Sequence, residues 1–177
     1  MRDGSGVYQV RFHGRGGQGV VTSAELLAIA AFRDGLDAQA FPLFGSERTG
    51  APVMAFCRID DREIRTREPI VHPDALVIQD PTLLHAIDLS APLVLVNTSG
   101  EVEAPGRVIT VPATDLARKH LGRPMPGTAL LGALVAATGI TSFGALEAAI
   151  RERFPGAIAD GNVAAALAAH DLVAAHA

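Results

Sequence analysis

Apolar and polar residues are arranged along the first two thirds of the chain in short runs that predict strands alternating with helices. Runs of four to seven residues rich in Val, Ile, Leu and Phe are typical of strands, and apolar residues three and four positions apart are typical of helices. The predicted strands are Val7–Phe12, Leu36–Phe41, Val53–Ile59, Glu63–Arg67, Ala75–Gln79, Leu93–Asn97 and Val108–Val111, and the predicted helices are Thr22–Phe32, Pro81–Ile87 and Asp115–Leu121.

The last third of the chain changes character, because helical spacing continues there without a further strand. Helices are predicted at Thr128–Ala137, Phe143–Phe154 and Asn162–Ala174, the second capped by Thr141 or Ser142 and ended by Pro155-Gly156. Asp60-Asp61 predicts the turn of an antiparallel hairpin between Val53–Ile59 and Glu63–Arg67, and Thr114 or Asp115 is the predicted cap of the helix that follows the last strand.

These elements predict the α/β class: a three-layer α/β/α domain with a mostly parallel, mixed sheet, an antiparallel hairpin and a helical C-terminal part. The continuous apolar runs ALVIQ and LVLVN favour strands that are covered on both faces. We expect a single domain over 1–177, since this length suits one core and no linker divides it.

Composition narrows the functional classes. The net charge of −4 argues against nucleic-acid binding, which relies on clustered Lys and Arg. The single cysteine, Cys57, lies in an apolar run and predicts a buried structural thiol in a reducing compartment. The polar N-terminus shows no targeting signal, and the most apolar stretch, Thr128 to Ile140, is too short to span a bilayer. A cytoplasmic protein without a membrane partner is expected.

The segment between the first strand and the first helix is the strongest candidate for ligand binding. A glycine-rich turn at a helix N-terminus presents backbone N–H groups to an anion. An arginine would add charge to such a site and a glutamine would add a hydrogen bond. The candidate residues are Gly14, Arg15, Gly16, Gly17, Gln18 and Gly19. Tight strand–helix packing alone is the alternative interpretation of these glycines.

The same segment satisfies the G-x-G-x-x-G pattern of dinucleotide sites only in form. Such a site also requires an acidic residue at the end of the second strand. Here that strand ends in Ala40-Phe41-Pro42, and Asp37 precedes it instead of closing it. An NAD site is therefore disfavoured but stays open.

A second candidate is the long loop PLFGSERTGAP, whose length is typical of a functional loop. Ser46, Arg48 and Thr49 offer two hydroxyls and a guanidinium to an anion. If the first two strands run parallel, this loop and the glycine loop lie at the same sheet edge. Asp80 and Asn97 follow later strands on what would be that edge, each as a helix cap or as a contact to a ligand or neighbour.

No catalytic constellation accompanies these loops. The histidines lack the spacing of metal ligands, and of them His13 is of interest because it lies beside the glycine loop. Neither paired carboxylates nor a nucleophile elbow stands out. The sequence predicts a binding surface with no catalytic residue and no metal ligand of its own.

Three segments resemble one family: RFHGRGGQG, AQAFPLFGSERTGAPVMAFCRI and PDALVIQDPTLL. They are similar to the gamma subunit of 2-oxoacid:acceptor oxidoreductases, above all of pyruvate:ferredoxin oxidoreductase. The resemblance runs from Val7 to Leu84 and, more loosely, through Leu130–Leu134 to the C-terminus.

The resemblance implies a multi-subunit enzyme that decarboxylates a 2-oxoacid on thiamine diphosphate, passes electrons through iron–sulfur clusters to ferredoxin and releases an acyl-CoA. It implies that thiamine diphosphate, Mg²⁺ and [4Fe-4S] clusters belong to alpha, beta and ferredoxin-like delta partners or fused equivalents. In related enzymes the equivalent domain helps bind coenzyme A. This chain alone is then expected to be inactive, to enclose the active site and to contact coenzyme A.

The sequence departs from the family pattern at three places. Family members often have a second arginine where Thr49 stands, a second aromatic residue at Leu43, and an asparagine where Pro126-Gly127 stand. These departures leave the 2-oxoacid open, with pyruvate as the first expectation and branched, aromatic or 2-oxoglutarate substrates as the others. A standalone NAD- or FAD-binding oxidoreductase and a purely structural assembly subunit are the alternative functions.

Overall fold

The computed structural model describes residues 6–43 and 50–177. Strands and helices alternate through its first part, and helices alone make up its end. The strands are β1 (Tyr8–Arg15), β2 (Asp37–Pro42), β3 (Pro52–Asp60), β4 (Ala75–Ile78), β5 (Leu93–Asn97) and β6 (Arg107–Val111). The helices are α1 (Val20–Arg33), α2 (Ala113–Leu121), α3 (Gly127–Thr138), α4 (Phe143–Arg153) and α5 (Gly156–Ala174), with a short 3-10 helix at Pro81–Ala86.

The strands form one mixed sheet in the order β2-β3-β1-β4-β5-β6. β1, β4, β5 and β6 are parallel neighbours, and β3 is antiparallel to both β1 and β2. β1 and β2 therefore run in the same direction, which is the condition for their following loops to share an edge. The predicted α/β class with a mostly parallel, mixed sheet is confirmed.

The predicted partner of the antiparallel hairpin is wrong. Glu63–Arg67 forms no strand, and β3 pairs instead with the preceding strand, β2, and with β1. Asp37 explains part of this arrangement, because its carboxylate accepts a hydrogen bond from the Ile64 N–H at 2.7 Å. The residues after Asp60 are thus held beside the end of the sheet as irregular chain.

The main hydrophobic core lies on one face of the sheet. Alternate strand residues, such as Phe12, Val77 and Leu95, point into it and pack against the helices. A smaller cluster on the opposite face contains Leu76, Ile78, Val94 and Val96. That face is covered by the short 3-10 helix, which contributes Leu84, and by residues of the loops around β5. β4 and β5 are consequently buried on both faces, as their continuous apolar runs predict.

The C-terminal helices pack closely because small residues face one another. A Cβ atom at Gly132 of α3 would lie 2.0 Å from the carbonyl oxygen of Ala166 in α5. Ser142 caps α4 by accepting from the Ala145 N–H at 3.1 Å, as predicted. Asp34 supports this cap from the end of α1, because its carboxylate accepts from the Ser142 N–H at 2.6 Å.

The start of α5 and the cap of α2 differ from prediction. α5 begins at Gly156, six residues before the predicted Asn162, and Gly156 has a positive φ of 42°. α2 has Pro112 as its N-cap and no side-chain cap, so neither Thr114 nor Asp115 serves there. The Thr114 N–H instead donates to Asn97 Oδ1 at 3.1 Å. No helix among the described residues is long and apolar enough to cross a membrane.

Candidate functional site

The candidate site lies at the carboxyl edge of the sheet, where β1, β4 and β5 end side by side. The glycine loop follows β1, Gln79 and Asp80 follow β4, and Asn97 ends β5. The predicted convergence of these segments is confirmed by hydrogen bonds that join each of them to the next. The segments at this edge are therefore joined in one continuous hydrogen-bond network.

The glycine loop is shaped by close packing and by one left-handed residue. Gly19 is the N-cap of α1 at φ 70°, and no side chain caps the helix there. A Cβ atom at Gly14 would lie 2.6 Å from Cγ2 of Val20. Both positions thus require glycine for steric reasons. The first N–H groups of α1 have no partner within the helix, which is the condition for an anion site at a helix N-terminus.

Gln18 directs its side chain into the protein. Its Nε2 donates to Asp80 Oδ2 at 2.9 Å, and its Oε1 accepts from the Arg15 N–H at 2.7 Å. Its carbonyl oxygen accepts from Gln79 Nε2 at 2.9 Å. The amide that the sequence offered to a ligand is used to hold the loop against β4. A direct cofactor contact by Gln18 stays a prediction, as it does for the glycines.

Arg15 joins three segments at this edge. Its Nη1 donates to the Gly50 carbonyl oxygen at 3.0 Å, and its Nη2 donates to Thr82 Oγ1 at 3.0 Å. Its Nε donates to the same hydroxyl at 3.3 Å and lies 3.4 Å from Asp80 Oδ2. Guanidinium carries five N–H donors, so two remain for a partner beyond these described residues. The side chain is 33% exposed, which leaves it accessible from solvent.

Asp80 serves both as a helix cap and as a contact to its neighbours, the two roles that the sequence left open. Its Oδ1 accepts from the Thr82 N–H at 3.0 Å at the start of the 3-10 helix. Partial burial acts to raise the pKa of Asp80. Hydrogen bonds from Thr82 and Gln18, together with the charge of Arg15, outweigh that effect and hold the pKa below its ordinary value. The carboxylate is ionised and offsets part of the charge of Arg15.

The two candidate loops meet at their ends. The Gly16 N–H donates to the Ala51 carbonyl oxygen at 2.8 Å, and the Gly50 N–H donates to the Gly16 carbonyl oxygen at 3.1 Å. The end of the long loop therefore lies at the same edge as the glycine loop. The predicted site residues of the long loop itself, Ser46, Arg48 and Thr49, lie outside the described residues and stay predictions.

A buried amide, Gln79, organises this edge and was missed at the sequence level as a site residue. Its Oε1 accepts from Ser23 Oγ at 2.8 Å, and its Nε2 donates to Gln18 O, so it connects α1 with the glycine loop. Its backbone oxygen accepts from Asn97 Nδ2 at 2.8 Å. Gln79 is 1% exposed. A polar residue that closes an otherwise apolar run, ALVIQ, is the signal that could have found it.

His13 lies on β1 with its side chain on the face opposite the main core. Its Nε2 accepts from Arg11 Nε at 3.0 Å, which requires a neutral ring with the proton on Nδ1. Burial, and then the charge of Arg11, lower the pKa of His13 to about 4. The ring is thus a neutral structural acceptor at physiological pH. Cys57 is likewise buried, as predicted, and burial raises the pKa of its thiol.

The sheet order bears on the dinucleotide interpretation. In dinucleotide-binding folds the second strand lies beside the first, so that its terminal acid reaches the ribose. Here the antiparallel β3 lies between β1 and β2, and Ala51 is the residue hydrogen-bonded to the glycine loop. Beside the end of β1, where the ribose-binding acid of a dinucleotide site would lie, the described residues include no carboxylate from β2. Residues 6–43 and 50–177 also contain no cluster of three His, Cys, Asp or Glu side chains that would hold a metal ion.

Comparisons with known proteins agree with the fold. Pyruvate synthase subunit PorC of Methanothermobacter marburgensis is 47% identical over 169 residues, which cover 92% of this chain and 96% of the relative. The pyruvate/ketoisovalerate oxidoreductases common subunit gamma of Thermococcus kodakarensis is 47% identical over 171 residues, 89% of this chain and 92% of the relative. The crystal structure of pyruvate oxidoreductase subunit PORC from Thermotoga maritima matches with a TM-score of 0.80 at 34% identity, covering 94% of this chain and 97% of that chain.

The family model described as pyruvate ferredoxin/flavodoxin oxidoreductase matches residues 9–172, which include the glycine loop, α1, β4 and β5. The relatives and the solved structure agree with this match over nearly the full length of the chain. The chain belongs to the pyruvate ferredoxin/flavodoxin oxidoreductase family, as its resemblance to gamma subunits predicted.

Proposed function

We propose that this chain is the gamma subunit of a multi-subunit 2-oxoacid:ferredoxin oxidoreductase and that its carboxyl-edge surface encloses the active site and contacts coenzyme A. The whole enzyme would convert a 2-oxoacid, coenzyme A and oxidised ferredoxin into an acyl-CoA, CO₂ and reduced ferredoxin. Thiamine diphosphate with Mg²⁺ would supply the chemistry of decarboxylation and [4Fe-4S] clusters would supply electron transfer, and all of these groups would be held by the alpha, beta and delta partners. The isolated chain would be inactive, and the complex would work in the cytoplasm.

Arg15 is the observation that supports a coenzyme A contact most strongly. Its guanidinium is partly exposed and keeps two donors after its bonds to Gly50 and Thr82. The start of α1, with no acidic residue in its first turn, lies on the same loop. Phosphate oxygens are favoured both by guanidinium forks and by helix N-termini. The phosphates of coenzyme A are therefore suitable anions for this edge.

The choice of 2-oxoacid is proposed to lie outside this chain, with pyruvate as the expected substrate. One relative is named as a subunit common to pyruvate and ketoisovalerate oxidoreductases, so that protein serves two substrates. The carboxyl edge described here is built from hydrogen-bonded polar groups that fix a loop. Such a surface suits a cosubstrate that both reactions share.

The alternatives make different predictions. A standalone NAD- or FAD-binding oxidoreductase would require the purified chain to gain thermal stability when those nucleotides are added. A purely structural subunit would require that substitutions at the glycine loop harm assembly while leaving coenzyme A affinity of any assembled complex unchanged. The hydrogen bonds of Gln18 and Arg15 within the chain are compatible with this structural role, so the kinetics of the complex must decide.

The experiment replaces Arg15 in the purified complex. Arg15→Gln is expected to raise the KM for coenzyme A about tenfold, because a charge-assisted hydrogen bond contributes about 1.5–3 kcal/mol, while Arg15→Lys is expected to recover part of the loss. Arg33→Gln is the matched control, since Arg33 ends α1 away from the loop and pairs with Glu152 at 2.9 Å. An unchanged KM in a complex with normal subunit content would contradict the contact. Arg48→Ala tests the long loop in the same assay.

A further inference from the structure

A pocket adjoins the glycine loop: Gln18 and Gly19 line one side of it, whereas Arg15 does not line it. Its volume is about 150 Å³, and it opens between the start of α1, the α2–α3 linker and the start of α5. Most of its surface is contributed by apolar side chains: Leu26, Leu121, Met125, Phe154 and Ile158. We call these residues and their polar neighbours the α1–α5 socket.

Three polar side chains in the wall of the socket, those of Ser23, Thr128 and Asn162, already have hydrogen-bond partners within the protein. Thr128 Oγ1 donates to Asn162 Oδ1 at 2.9 Å, and Asn162 Nδ2 donates to the Ile158 carbonyl oxygen at 2.9 Å. Ser23 Oγ lies 2.8 Å from the side-chain oxygen of Gln79 and 3.1 Å from the Gly19 carbonyl oxygen. Because these polar groups already have hydrogen-bond partners, an apolar occupant does not leave them unpaired. An apolar group therefore suits the socket.

The size of the socket limits the occupant to one side chain. A cavity of about 150 Å³ lined by Leu, Ile and Phe accommodates a benzene-sized group. Leu, Met and Phe side chains are of that order, and burying one contributes about 1.5–3 kcal/mol. Ile158 at the rim is 39% exposed although it is a large apolar residue, which marks the opening as an apolar surface.

The positive charge at the rim of the socket favours an acidic residue beside the inserted apolar side chain. Arg123 lines the pocket and is exposed, and it makes no hydrogen bond or ion pair with any described residue. The described lining residues include no carboxylate. The start of α3, at Gly127, lines the pocket and adds partial positive charge on the same side. The neighbour of the apolar side chain is therefore expected to be acidic.

We propose that the α1–α5 socket anchors a partner subunit, which inserts one large apolar side chain next to an Asp or Glu that pairs with Arg123. This inference rests on the proposed role as a subunit of an oxidoreductase complex. A large side chain that fills a desolvated pocket of its partner is a common form of interface hot spot. The socket would hold the partner beside the carboxyl edge and leave the guanidinium of Arg15, which does not line the socket, to the coenzyme A surface.

The test measures the affinity of the fluorescently labelled chain for the remaining subunits of its own complex. Ile158→Asp and Arg123→Glu are each expected to raise the dissociation constant about tenfold or more, as hot-spot substitutions do. Leu167→Asp is the matched control on α5, with similar exposure at 43%. Arg62→Glu is the matched charge control, since it follows β3 at the opposite edge of the sheet. Both controls are expected to stay within about twofold.

Melting temperatures of the free variants establish that each is folded before its affinity is compared. Parent-like affinity for both socket variants would overturn the proposal and leave the proposed function standing. Unchanged subunit affinity with a raised KM for coenzyme A would also overturn it, since the socket would then hold part of a small ligand. Failure of the unaltered chain to join the complex would instead refute the proposed function.

Discussion

The helical layer and the carboxyl edge of the sheet are held together by different means. Between α3 and α5 the backbones are so close that Gly132 leaves no room for a Cβ atom against Ala166. At the carboxyl edge, Gln79 and Asp80 instead connect β4 to the glycine loop by hydrogen bonds. The structure of the helical layer depends on the close fit of small residues, and that of the carboxyl edge depends on hydrogen bonds between polar groups.

This difference indicates which region is free to serve a ligand. Close-packed apolar layers such as the α3–α5 contact tolerate little change in shape. The carboxyl edge contains an arginine with two donors that no described residue uses and a helix start without a side-chain cap, although most of its other polar groups are bonded within the chain. Substitutions should accordingly affect stability most in the helical layer and coenzyme A binding most at the edge.

The largest effect on stability is expected at Gly132. Gly132→Ala places a Cβ atom 2.0 Å from the Ala166 carbonyl oxygen, so two backbones must separate. We expect a loss of about 3 kcal/mol or more in the free energy of unfolding. Gly144→Ala is the matched control, because a Cβ atom there meets nothing within 4 Å. It should be neutral or stabilising by up to about 1 kcal/mol. Equal denaturation midpoints for the two variants would contradict this account of α3–α5 packing.

The next effect is a pH dependence that originates at His13. Its folded pKa of about 4 lies below the ordinary value of 6.5, so the unfolded chain binds the proton first as pH falls. Stability from the neutral ring is therefore complete above about pH 6.5 and decreases towards pH 4, by about 3 kcal/mol in total. Urea denaturation between pH 7.5 and 4 measures this change.

His13→Gln supplies the comparison for that titration. The glutamine oxygen can still accept from Arg11, but the side chain does not titrate in this range. The variant should lose stability less steeply between pH 6.5 and 4 than the parent. Identical slopes for parent and variant would show that other groups cause the pH dependence.

A smaller effect is expected from Gln79→Met, which keeps the volume and removes both polar ends. The Gln18 carbonyl oxygen loses its partner, whereas the Ser23 hydroxyl loses Gln79 but keeps the Gly19 carbonyl oxygen as an acceptor. The expected cost is about 2 kcal/mol, within the range for buried groups left without a hydrogen bond. In the complex, the KM for coenzyme A should also rise, because the glycine loop loses its support. Stability and a KM for coenzyme A that both equal those of the parent would show that Gln79 does not support the glycine loop.

The sequence predicted the elements that depend on local patterns. The apolar runs of β4 and β5 and the Ser142 cap of α4 are local features, and all three are present in the structure. The partner of β3 was predicted incorrectly because strand pairing depends on contacts between distant residues. Asp37 bonding to Ile64, 27 positions away, is one such contact.

The candidate site shows the same limit. The glycine loop and its place at the carboxyl edge follow from the strand–turn–helix pattern, and the structure has both. The intramolecular bonds of Gln18 and Arg15 could not be predicted, since their partners at Asp80 and Thr82 lie more than 60 residues away. Glycines and an arginine in a sequence indicate an anion site, but they do not reveal which hydrogen-bond donors are already used within the folded chain.

Hydrogen exchange of the purified complex, with and without coenzyme A, tests the central claim most directly. If the carboxyl edge contacts coenzyme A, the amides of residues 16–22 should exchange more slowly when it is added, while those of α3 and α5 should not change. Addition of dephospho-coenzyme A would show whether the 3′-phosphate is required. Unchanged exchange at residues 16–22, in a complex that demonstrably binds coenzyme A, would contradict the proposed contact.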